Sequence, residues 1–344
     1  MIRKVKVGIV GLGELGSVHA RNLMFHIPNA ELIAICGIEA EREKLTALKA
    51  DWDLPYCFFD FNEMVQLPEL EAVVIASSTA AHREHALAAI AAGKHVFIEK
   101  PTGLNAAECQ EIERAAAASD RVFTVGFMRR HDPSYAEAKR RIDAGEIGTP
   151  ILFRGYSLDP EWVAEYLAKR AAKNGCWFID MTVHDYDLAR WFLGGEAETV
   201  YACGGAYAYP VFAETNDVDN GYALMKFDNG ACAFYYSGRT AAHGSHVETE
   251  IVGTKGMIRI CDEPRRDRIK AYTKDGIVEK CLNLYLERWG EAYLLEMQHF
   301  IDAAAENKQP EITAHDGTMA TLMGIETQAS YVSGELRRFT EAEA

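Results

Sequence analysis

The residue whose type and position most clearly predict chemistry is a lysine at the end of an apolar run. Residues 95–98 predict a buried strand, and Glu99-Lys100-Pro101 follows it directly. A charged pair at the end of a strand that is buried on both faces is costly unless water or a partner meets it in a cleft. Lys100 is therefore a predicted site residue, whose ammonium group would stabilise negative charge on a substrate oxygen. Pro101 fixes the turn, and a cis bond before it is one way to aim the lysine inwards.

A second candidate is an acid–base pair in the predicted helix 178–193. Asp180 and His184 are four residues apart, so they share one face of that helix. A histidine titrates near neutral pH, and a neighbouring carboxylate raises its pKa and orients its ring, which suits a general base. The same spacing also occurs in pairs that merely stabilise exposed helices. No metal site is predicted, because Asp185 and Asp187 cannot share that face with the pair.

The N-terminal residues carry a glycine pattern typical of dinucleotide binding. An apolar run over 5–10 predicts a strand, residues 11–16 predict a tight turn, and residues 18–25 begin a helix. This order lets backbone N–H groups and the positive helix end receive a pyrophosphate. Gly11 makes the sharp turn, Gly13 has no Cβ to block the phosphates, and Gly16 lets helix and strand pack closely. A chance glycine-rich turn is the alternative, but its place directly after the first strand favours the dinucleotide.

Residues after the other predicted strands complete the cofactor prediction, because ligands of parallel sheets bind at the carboxyl ends of strands. Gly37 stands where an acidic residue usually binds the ribose, and the nearest carboxylate is Glu39, which a solvated first helical turn explains equally well. Glu39 would repel a 2′-phosphate and Arg42 would attract one, so NAD is favoured and NADP remains an alternative. Ser77 to Thr79 form a polar turn, although Thr79 as a helix cap also explains it. The predicted cofactor-binding residues are Gly11, Leu12, Gly13, Glu14, Leu15, Gly16, Glu39, Ser77, Ser78, Thr79, His82, Glu99 and Lys100.

Composition narrows the possible partners. The 344 residues suit two domains, and 36 Lys+Arg against 51 Asp+Glu give a net charge of -15. This charge argues against nucleic acid or an anionic membrane as a partner. No stretch approaches the roughly 18 apolar residues of a membrane span, and residues 1–10 lack the apolar core of a signal peptide. Eight scattered cysteines without a CxxC pair predict a reducing cytoplasm.

The alternation of element types predicts the fold class. In the first third of the chain, strand and helix patterns alternate, which predicts a doubly wound parallel sheet with helices on both faces. Its predicted strands are 5–10, 32–37, 72–76, 95–98 and 121–126, and its predicted helices are 39–50, 80–92 and 106–118. From residue 151 the alternation stops, and strand-like runs follow one another at 150–156, 200–207, 222–227, 231–237, 247–252 and 257–261. Residues 228–230 and 253–256 are predicted hairpin turns, and the charged run 263–268 is predicted to be a solvated loop.

Several segments together resemble the glucose-fructose oxidoreductase / inositol dehydrogenase (Gfo/Idh/MocA) family. They are residues 11–16, 82–87 and 92–96, and above all Glu99-Lys100-Pro101. Asp316-Gly317 and the helix up to Ser333 are similar to the closing element of the family, so the likeness covers almost the whole chain. Residues 126–135 resemble the inositol dehydrogenases most closely.

The resemblance implies a two-domain α/β architecture. Residues 1–149 would form a Rossmann domain, and residues 150–344 an α+β domain with an open, mainly antiparallel sheet whose inner wall lies against the nicotinamide. The C-terminal helix is expected to pack back on the first domain. Residues 169–173 form an amphipathic segment that would either cover the cleft or pack ordinarily. An exposed sheet face predicts a homo-oligomer, a dimer or a tetramer.

The resemblance also implies a reaction, the NAD-dependent oxidation of a secondary hydroxyl of a cyclic polyol, myo- or scyllo-inositol, to the ketone. In it His184 takes the hydroxyl proton, Lys100 lowers the pKa of the hydroxyl, and Asp180 accepts a hydrogen bond. The predicted substrate-binding residues are Lys100, Arg129, Arg130, Asp159, Asp180, His184 and Tyr236. The two arginines are equally explained as structural ion-pair partners. Alternative functions are an aldopyranose dehydrogenase acting at C1 or C3, and a non-catalytic sensor that binds a dinucleotide.

Overall fold

The computed structural model describes residues 3–168, 176–261 and 263–339, so the predicted lid segment 169–173 lies outside the described residues. The chain divides into two compact units. The first comprises Met1–His131 and Glu291–Thr321, and the second comprises Asp132–Gly290 and Leu322–Ala344. The predicted domain boundary at residue 149 therefore falls inside the second unit. The helix Pro133–Asp143, which precedes residue 149, belongs to the second unit. A hydrogen bond of 2.9 Å between the Tyr135 and Thr249 hydroxyl groups joins it to the rest of that unit.

The first unit contains a six-stranded sheet in the order β3-β2-β1-β4-β5-β6, and all neighbouring strands run parallel. The strands are β1 (Val5–Val10), β2 (Ala30–Cys36), β3 (Tyr56–Phe58), β4 (Ala72–Ile75), β5 (His95–Ile98) and β6 (Phe123–Val125). The strand order reverses between β1 and β4, as in doubly wound nucleotide-binding sheets. The predicted parallel sheet is confirmed. β3 was not predicted, because its three half-buried residues are too few to show a periodicity.

Helices cover the sheet of the first unit, which explains why its strands are continuous apolar runs. The helices are α1 (Glu14–Phe25), α2 (Arg42–Asp51), α3 (Phe61–Val65), α4 (Thr79–Ala91), α5 (Ala106–Ala117) and the larger part of α9 (Tyr285–Glu306). Val7 and Val74 from the strands share one buried cluster with Met297 and Phe300 from α9. The predicted helix beginning at Asn105 is confirmed, since its side chain accepts a hydrogen bond from the Glu108 N–H.

The second unit contains a seven-stranded sheet in the order β12-β11-β7-β10-β9-β8-β15. Its strands are β7 (Pro150–Pro160), β8 (Ala197–Gly205), β9 (Asn220–Phe227), β10 (Cys232–Ala241), β11 (His246–Gly253), β12 (Met257–Ile260) and β15 (Arg337–Arg338). Only the pairing of β7 with β10 is parallel among the pairs described in this sheet, so the prediction of a mainly antiparallel sheet is confirmed. The hairpins β9–β10 and β11–β12 turn at the two predicted turns.

The predicted single helix over 178–193 is wrong. The structure has α6 (Pro133–Asp143), then two helices in its place, α7 (Trp177–Asp180) and α8 (Val183–Leu193). The backbone N–H of His184 bonds to the Met181 carbonyl three residues back, at 3.4 Å, so the α-helical pattern is interrupted there. The Thr182 hydroxyl lies 2.9 Å from that of Ser237 on β10, which fixes the interruption against the sheet.

The predicted loop at 263–268 is also wrong, because β13 (Arg265–Thr273) begins there and pairs with β14 (Gly276–Cys281). Glu279 of β14 lies 3.2 Å from Arg265 and 3.3 Å from Lys270, so the alternating charges pair across the ribbon. The last long helix is α10 (Ala314–Ser333). None of the helices in the described part of the chain combines the length and apolarity needed to cross a bilayer.

Candidate active site

The glycine turn between β1 and α1 has the backbone that the sequence predicts. Gly11 has a φ of +87°, and a Cβ there would lie 2.5 Å from the Ala76 carbonyl oxygen. A Cβ on Gly16 would overlap the Gly11 carbonyl oxygen, whereas a Cβ on Gly13 would meet nothing within 4 Å. Gly13 is the N-cap of α1 and makes no side-chain cap. The turn therefore offers open space in front of the positive helix end, which fits a pyrophosphate.

Replacing Gly13 separates this role from folding. We expect Gly13→Val to weaken NAD binding by about 10- to 100-fold, a loss of roughly 1.4–2.8 kcal/mol, because its side chain fills that space. The melting temperature should stay near that of the wild type. Calorimetric titration with NAD and thermal unfolding measure the two effects. Gly16→Val is the comparison variant and should lower the melting temperature, since its side chain meets backbone. Unchanged NAD affinity in Gly13→Val would contradict the assignment.

The packing after β2 explains why position 37 holds a glycine instead of the acidic residue that usually binds the ribose. A Cβ on Gly37 would lie 2.5 Å from Leu45 Cδ1, so any side chain at this position would disturb the packing of α2. Glu39 is exposed and forms a two-fold ion pair with Arg42, with N–O distances of 2.6 and 2.7 Å. Hydrogen bonding by Arg42 lowers the pKa of Glu39. Because this pairing neutralises Arg42, its attraction for a 2′-phosphate is weakened.

The turn after β4 is tied to the turn after β5. His82 is buried, with Nδ1 at 2.8 Å from the Pro101 carbonyl oxygen and Nε2 at 3.1 Å from the Ser77 carbonyl oxygen. Burial lowers the pKa of His82. The Ser77 hydroxyl lies 3.0 Å from His85 Nδ1. The N-cap of α4 is Ser78, so Thr79 as a cap is wrong; Thr79 is the first helical residue and is buried.

Lys100 is half-buried directly after β5, and the peptide bond from Lys100 to Pro101 is cis. The Lys100 backbone N–H donates to Glu99 Oε2 at 3.3 Å. The Glu99 side chain is buried and lies 2.7 Å from His19 Nε2 on α1. Glu99 therefore contacts the interior of the first unit, and Lys100 is the residue of the pair that extends beyond the strand end.

The two arginines after β6 are both buried. Arg130 pairs with Asp316 on α10 at 3.1 Å, which matches the structural explanation given for it. Met128 is also buried, in keeping with a packing role. The substrate contacts predicted for Arg129 and Arg130 stay predictions.

In the second unit, a buried ion pair that was not predicted from the sequence supports α7. Arg239 of β10 lies 3.0 Å from Asp217, and both side chains are at most 3% exposed. Asp217 also accepts a hydrogen bond from the Trp177 backbone N–H at 2.9 Å, so it fixes the start of the helix that ends at Asp180. Burial lowers the pKa of Arg239, and the charges of Asp217, Asp180 and Asp159 oppose this shift. The available signal was Arg239 itself, the single charged residue of β10.

His184 is buried in the first turn of α8, next to a hydrogen-bonded contact between α8 and the sheet. Asp185 accepts a hydrogen bond from the Ser157 hydroxyl of β7 at 2.5 Å. Thr182 lies against Ser237, so this face of β10 meets the break before α8. Asp180 is the last residue of α7, and Asp159 lies near the end of β7. The charges of both act electrostatically on Arg239.

Tyr236 lies on the other face of the sheet. Successive side chains of a strand point to opposite faces, and its neighbour Ser237 contacts Thr182. Tyr236 stacks on Tyr222 with ring centroids 5.1 Å apart, and its hydroxyl donates to Asn220 at 2.9 Å. Tyr236 therefore points to the face of β10 opposite to the one that contacts Thr182, and its predicted substrate contact stays a prediction.

Removing the Asp217 charge should destabilise the second unit. We expect Asp217→Asn to lower the free energy of unfolding by about 3–5 kcal/mol, because Arg239 is left as an uncompensated buried charge. Asparagine keeps an acceptor for the Trp177 N–H, so the change isolates the charge. Urea denaturation measures the effect. Asp143→Asn, which breaks the exposed pair with Lys139, is the control and should cost less than about 1 kcal/mol. Equal losses in both variants would contradict the prediction.

Two family models match the chain. Residues 5–127 match the Gfo/Idh/MocA oxidoreductase family model described as an NAD-binding Rossmann fold, and residues 135–259 match the C-terminal domain model of that family. A scyllo-inositol 2-dehydrogenase (NAD(+)) of Bacillus subtilis is 33% identical over 97% of this chain and 96% of its own. A myo-inositol 2-dehydrogenase of Thermotoga maritima is 32% identical over 95% of this chain and 96% of its own.

Solved structures agree with these matches. The structure of scyllo-inositol dehydrogenase from Lactobacillus casei with bound NAD(H) and scyllo-inositol has a TM-score of 0.93 and 38% identity, covering 98% of this chain and 99% of that one. Myo-inositol 2-dehydrogenase from Lactobacillus plantarum has a TM-score of 0.94 and 34% identity, covering 98% and 100%. The chain therefore belongs to the Gfo/Idh/MocA family of oxidoreductases, with an NAD-binding Rossmann domain followed by the C-terminal domain of that family.

Proposed function

We propose that the protein oxidises a secondary hydroxyl group of a cyclic polyol, myo- or scyllo-inositol, to the ketone with NAD. The observation that carries this proposal is the near-full-length similarity to the scyllo-inositol dehydrogenase structure that contains NAD(H) and scyllo-inositol. The glycine turn fits the pyrophosphate of NAD, and the pairing of Glu39 with Arg42 favours NAD over NADP.

The chain supplies three groups for the chemistry. Oxidation of a carbinol removes the hydroxyl proton and the carbon-bound hydrogen with its electron pair, and NAD, when bound, would supply the acceptor of that hydride. His184 takes the hydroxyl proton as general base. The Lys100 ammonium group stabilises the negative charge that develops on the oxygen. Asp180 accepts a hydrogen bond from the substrate or from His184.

The charges of the second unit support a neutral substrate. The buried guanidinium of Arg239 is already paired with Asp217, and the charges of Asp159 and Asp180 act on the same group. Two further carboxylates would repel an anionic substrate and accept hydrogen bonds from hydroxyl groups instead. The net charge of -15 acts in the same direction. A polyol or sugar without a phosphate or carboxylate fits this environment.

A substrate screen tests the proposal. The purified protein is mixed with myo-inositol, scyllo-inositol, glucose, galactose or xylose, with NAD and with NADP in parallel, and the reduced-nicotinamide absorbance is followed. We expect turnover with at least one inositol and with NAD in preference to NADP. Turnover with an aldose alone would assign the protein to the aldopyranose dehydrogenases. Silence over the whole panel, with NAD binding shown by calorimetry, would support the sensor function.

The protein is further proposed to form a homo-oligomer, a dimer or tetramer, in a reducing cytoplasm. Tyr201 and Leu224 lie opposite each other on β8 and β9, and both are exposed on one face of the sheet. Leu224 also pairs with Phe234 of β10, which extends this apolar face. Such a face is typical of a subunit interface. The proposed compartment follows from the eight scattered cysteines, which include no CxxC pair. Sedimentation equilibrium measures the number of subunits.

A further inference from the structure

Behind Lys100, the first unit encloses a cluster of one histidine and two glutamates. His19 lies on α1, Glu99 follows β5, and Glu296 lies on α9, with all three at most 6% exposed. His19 Nε2 is 2.7 Å from Glu99 Oε1 and 4.0 Å from Glu296 Oε1. Neither carboxyl oxygen of Glu296 has a hydrogen-bond partner among the described residues. A polar side chain this deeply buried and this poorly partnered needs an explanation.

Aromatic rings close off the cluster from water. The ring centroids of Phe97 and Tyr293 lie 5.5 and 5.8 Å from that of His19, both in edge-to-face orientation. Two negative charges in such surroundings would each require a compensating partner, and only one imidazole is present within the cluster. Burial raises the pKa of Glu296, and the charge of Glu99 raises it further. We therefore expect Glu296 to carry a proton in the folded protein.

A metal ion does not fit the same geometry. Two ligands bound to one tetrahedral zinc at about 2.0–2.1 Å lie about 3.4 Å apart. The separation of 2.7 Å between His19 Nε2 and Glu99 Oε1 is instead that of a direct hydrogen bond. His19 Nε2 and Glu99 Oε1 are thus joined by a hydrogen bond rather than by an ion, and Glu296 Oε1 lies beside them at 4.0 Å from His19 Nε2.

We propose that Glu296 is a positioning residue whose side chain packs beside His19, with Oε1 at 4.0 Å from His19 Nε2, and so keeps the Glu99 carboxylate on His19 and beneath the Lys100 backbone. The inference rests on the proposed function in so far as Lys100 acts in the reaction. Glu99 Oε1 contacts His19, and Glu99 Oε2 accepts the Lys100 N–H at 3.3 Å. A Cβ on Gly126 would lie 3.0 Å from Glu99 Oε2, so this carboxylate has little free space on its other side. A second negative charge at Glu296 would push Glu99 out of this place.

A proton on Glu296 predicts the direction in which the free energy of unfolding changes with pH, and this can be tested without any substrate. The titratable groups around Glu296 are His19 on α1, Glu99 after β5 and, one turn away on its own helix, Tyr293 in contact with His19. Because the folded state keeps the proton that the unfolded state loses above a pKa of about 4.3, stability falls as pH rises from there to the folded pKa. In Glu296→Gln this dependence is removed.

The first experiment compares urea denaturation of the wild type and Glu296→Gln from pH 5 to pH 9. The folding equilibrium constant of the variant should rise relative to that of the wild type by up to tenfold per pH unit. Glu306→Gln, at an exposed position of the same helix, is the control and should show a ratio independent of pH. If the ratio of the folding equilibrium constants of Glu296→Gln and the wild type did not change with pH, the assignment of a neutral carboxyl group to Glu296 would be overturned. One equivalent of metal per chain, measured by mass spectrometry after chelator treatment, would overturn it as well.

The second experiment tests positioning in the active enzyme. Glu296→Ala should lower kcat about tenfold with an unchanged KM for the polyol, and Glu296→Gln should restore kcat to within about twofold of the wild type. Wild-type kcat in Glu296→Ala would overturn the positioning role. A failure of the proposed function would appear as silence of the wild type in the substrate screen, and the denaturation experiment would still decide the protonation of Glu296.

Discussion

Replacement of Lys100 by methionine is expected to lower kcat for inositol oxidation by about 10²- to 10³-fold. Methionine keeps most of the length of the side chain and removes the ammonium group. The backbone N–H that donates to Glu99 is retained, so the buried cluster behind this position should remain intact. Steady-state kinetics measure kcat, and NAD titration shows whether the cofactor still binds with wild-type affinity.

The control for this variant is Lys308→Met, an exposed lysine in the same unit. It should match the wild type in kcat, in NAD affinity and in melting temperature. Near-wild-type turnover by a folded Lys100→Met enzyme would contradict the role given to the ammonium group. A joint loss of activity and melting temperature would instead indicate that the turn after β5 has lost its structure.

The first unit was predictable because its determinants are local. In a βα repeat, each strand and each helix shows its own hydrophobic periodicity. The steric requirements of the glycine turn are contained in the six residues 11–16. Gly11 and Gly16 are irreplaceable in the structure for the reasons read from the sequence, a positive φ and a close approach of backbone. Gly37 departs from the usual pattern of an acidic residue after the second strand. The reason is the side chain of Leu45, eight residues later on α2, which leaves no room for a side chain at position 37.

The second unit was predicted less completely because its site depends on contacts between distant residues. The break between α7 and α8 is fixed by Thr182 against Ser237, which are far apart in the sequence. The support of α7 by Asp217 and Arg239 depends on the register of β10. The i,i+4 spacing of Asp180 and His184 therefore suggested one continuous helix where the sheet imposes two.

The buried cluster of His19, Glu99 and Glu296 shows the same limit within the first unit. Each member taken alone looks like a polar helix or strand-end residue. Their assembly requires that α9, almost two hundred residues after β5, packs on the N-terminal sheet. No periodicity within a window of the sequence carries that information.

Replacement of His184 by glutamine should lower kcat by about 10²- to 10⁴-fold, because glutamine keeps hydrogen-bonding capacity and cannot take a proton. A general base acts only in its neutral form, so wild-type kcat/KM should fall at low pH, where the imidazole takes up a proton. This acid limb should be absent from the residual activity of His184→Gln. Rate measurements from pH 5 to pH 9 provide both profiles, and His26→Gln, at an exposed position, is the control.

Two other histidines cannot produce the same limb. Burial lowers the pKa of His85 to about 4 and that of His131 to about 3. These two side chains stay largely neutral from pH 5 to pH 9. Retention of the acid limb in His184→Gln would therefore contradict the assignment of His184 as the base and would point to a group outside this set. Loss of the limb with retained NAD affinity would establish that the proton leaves the substrate hydroxyl through this imidazole.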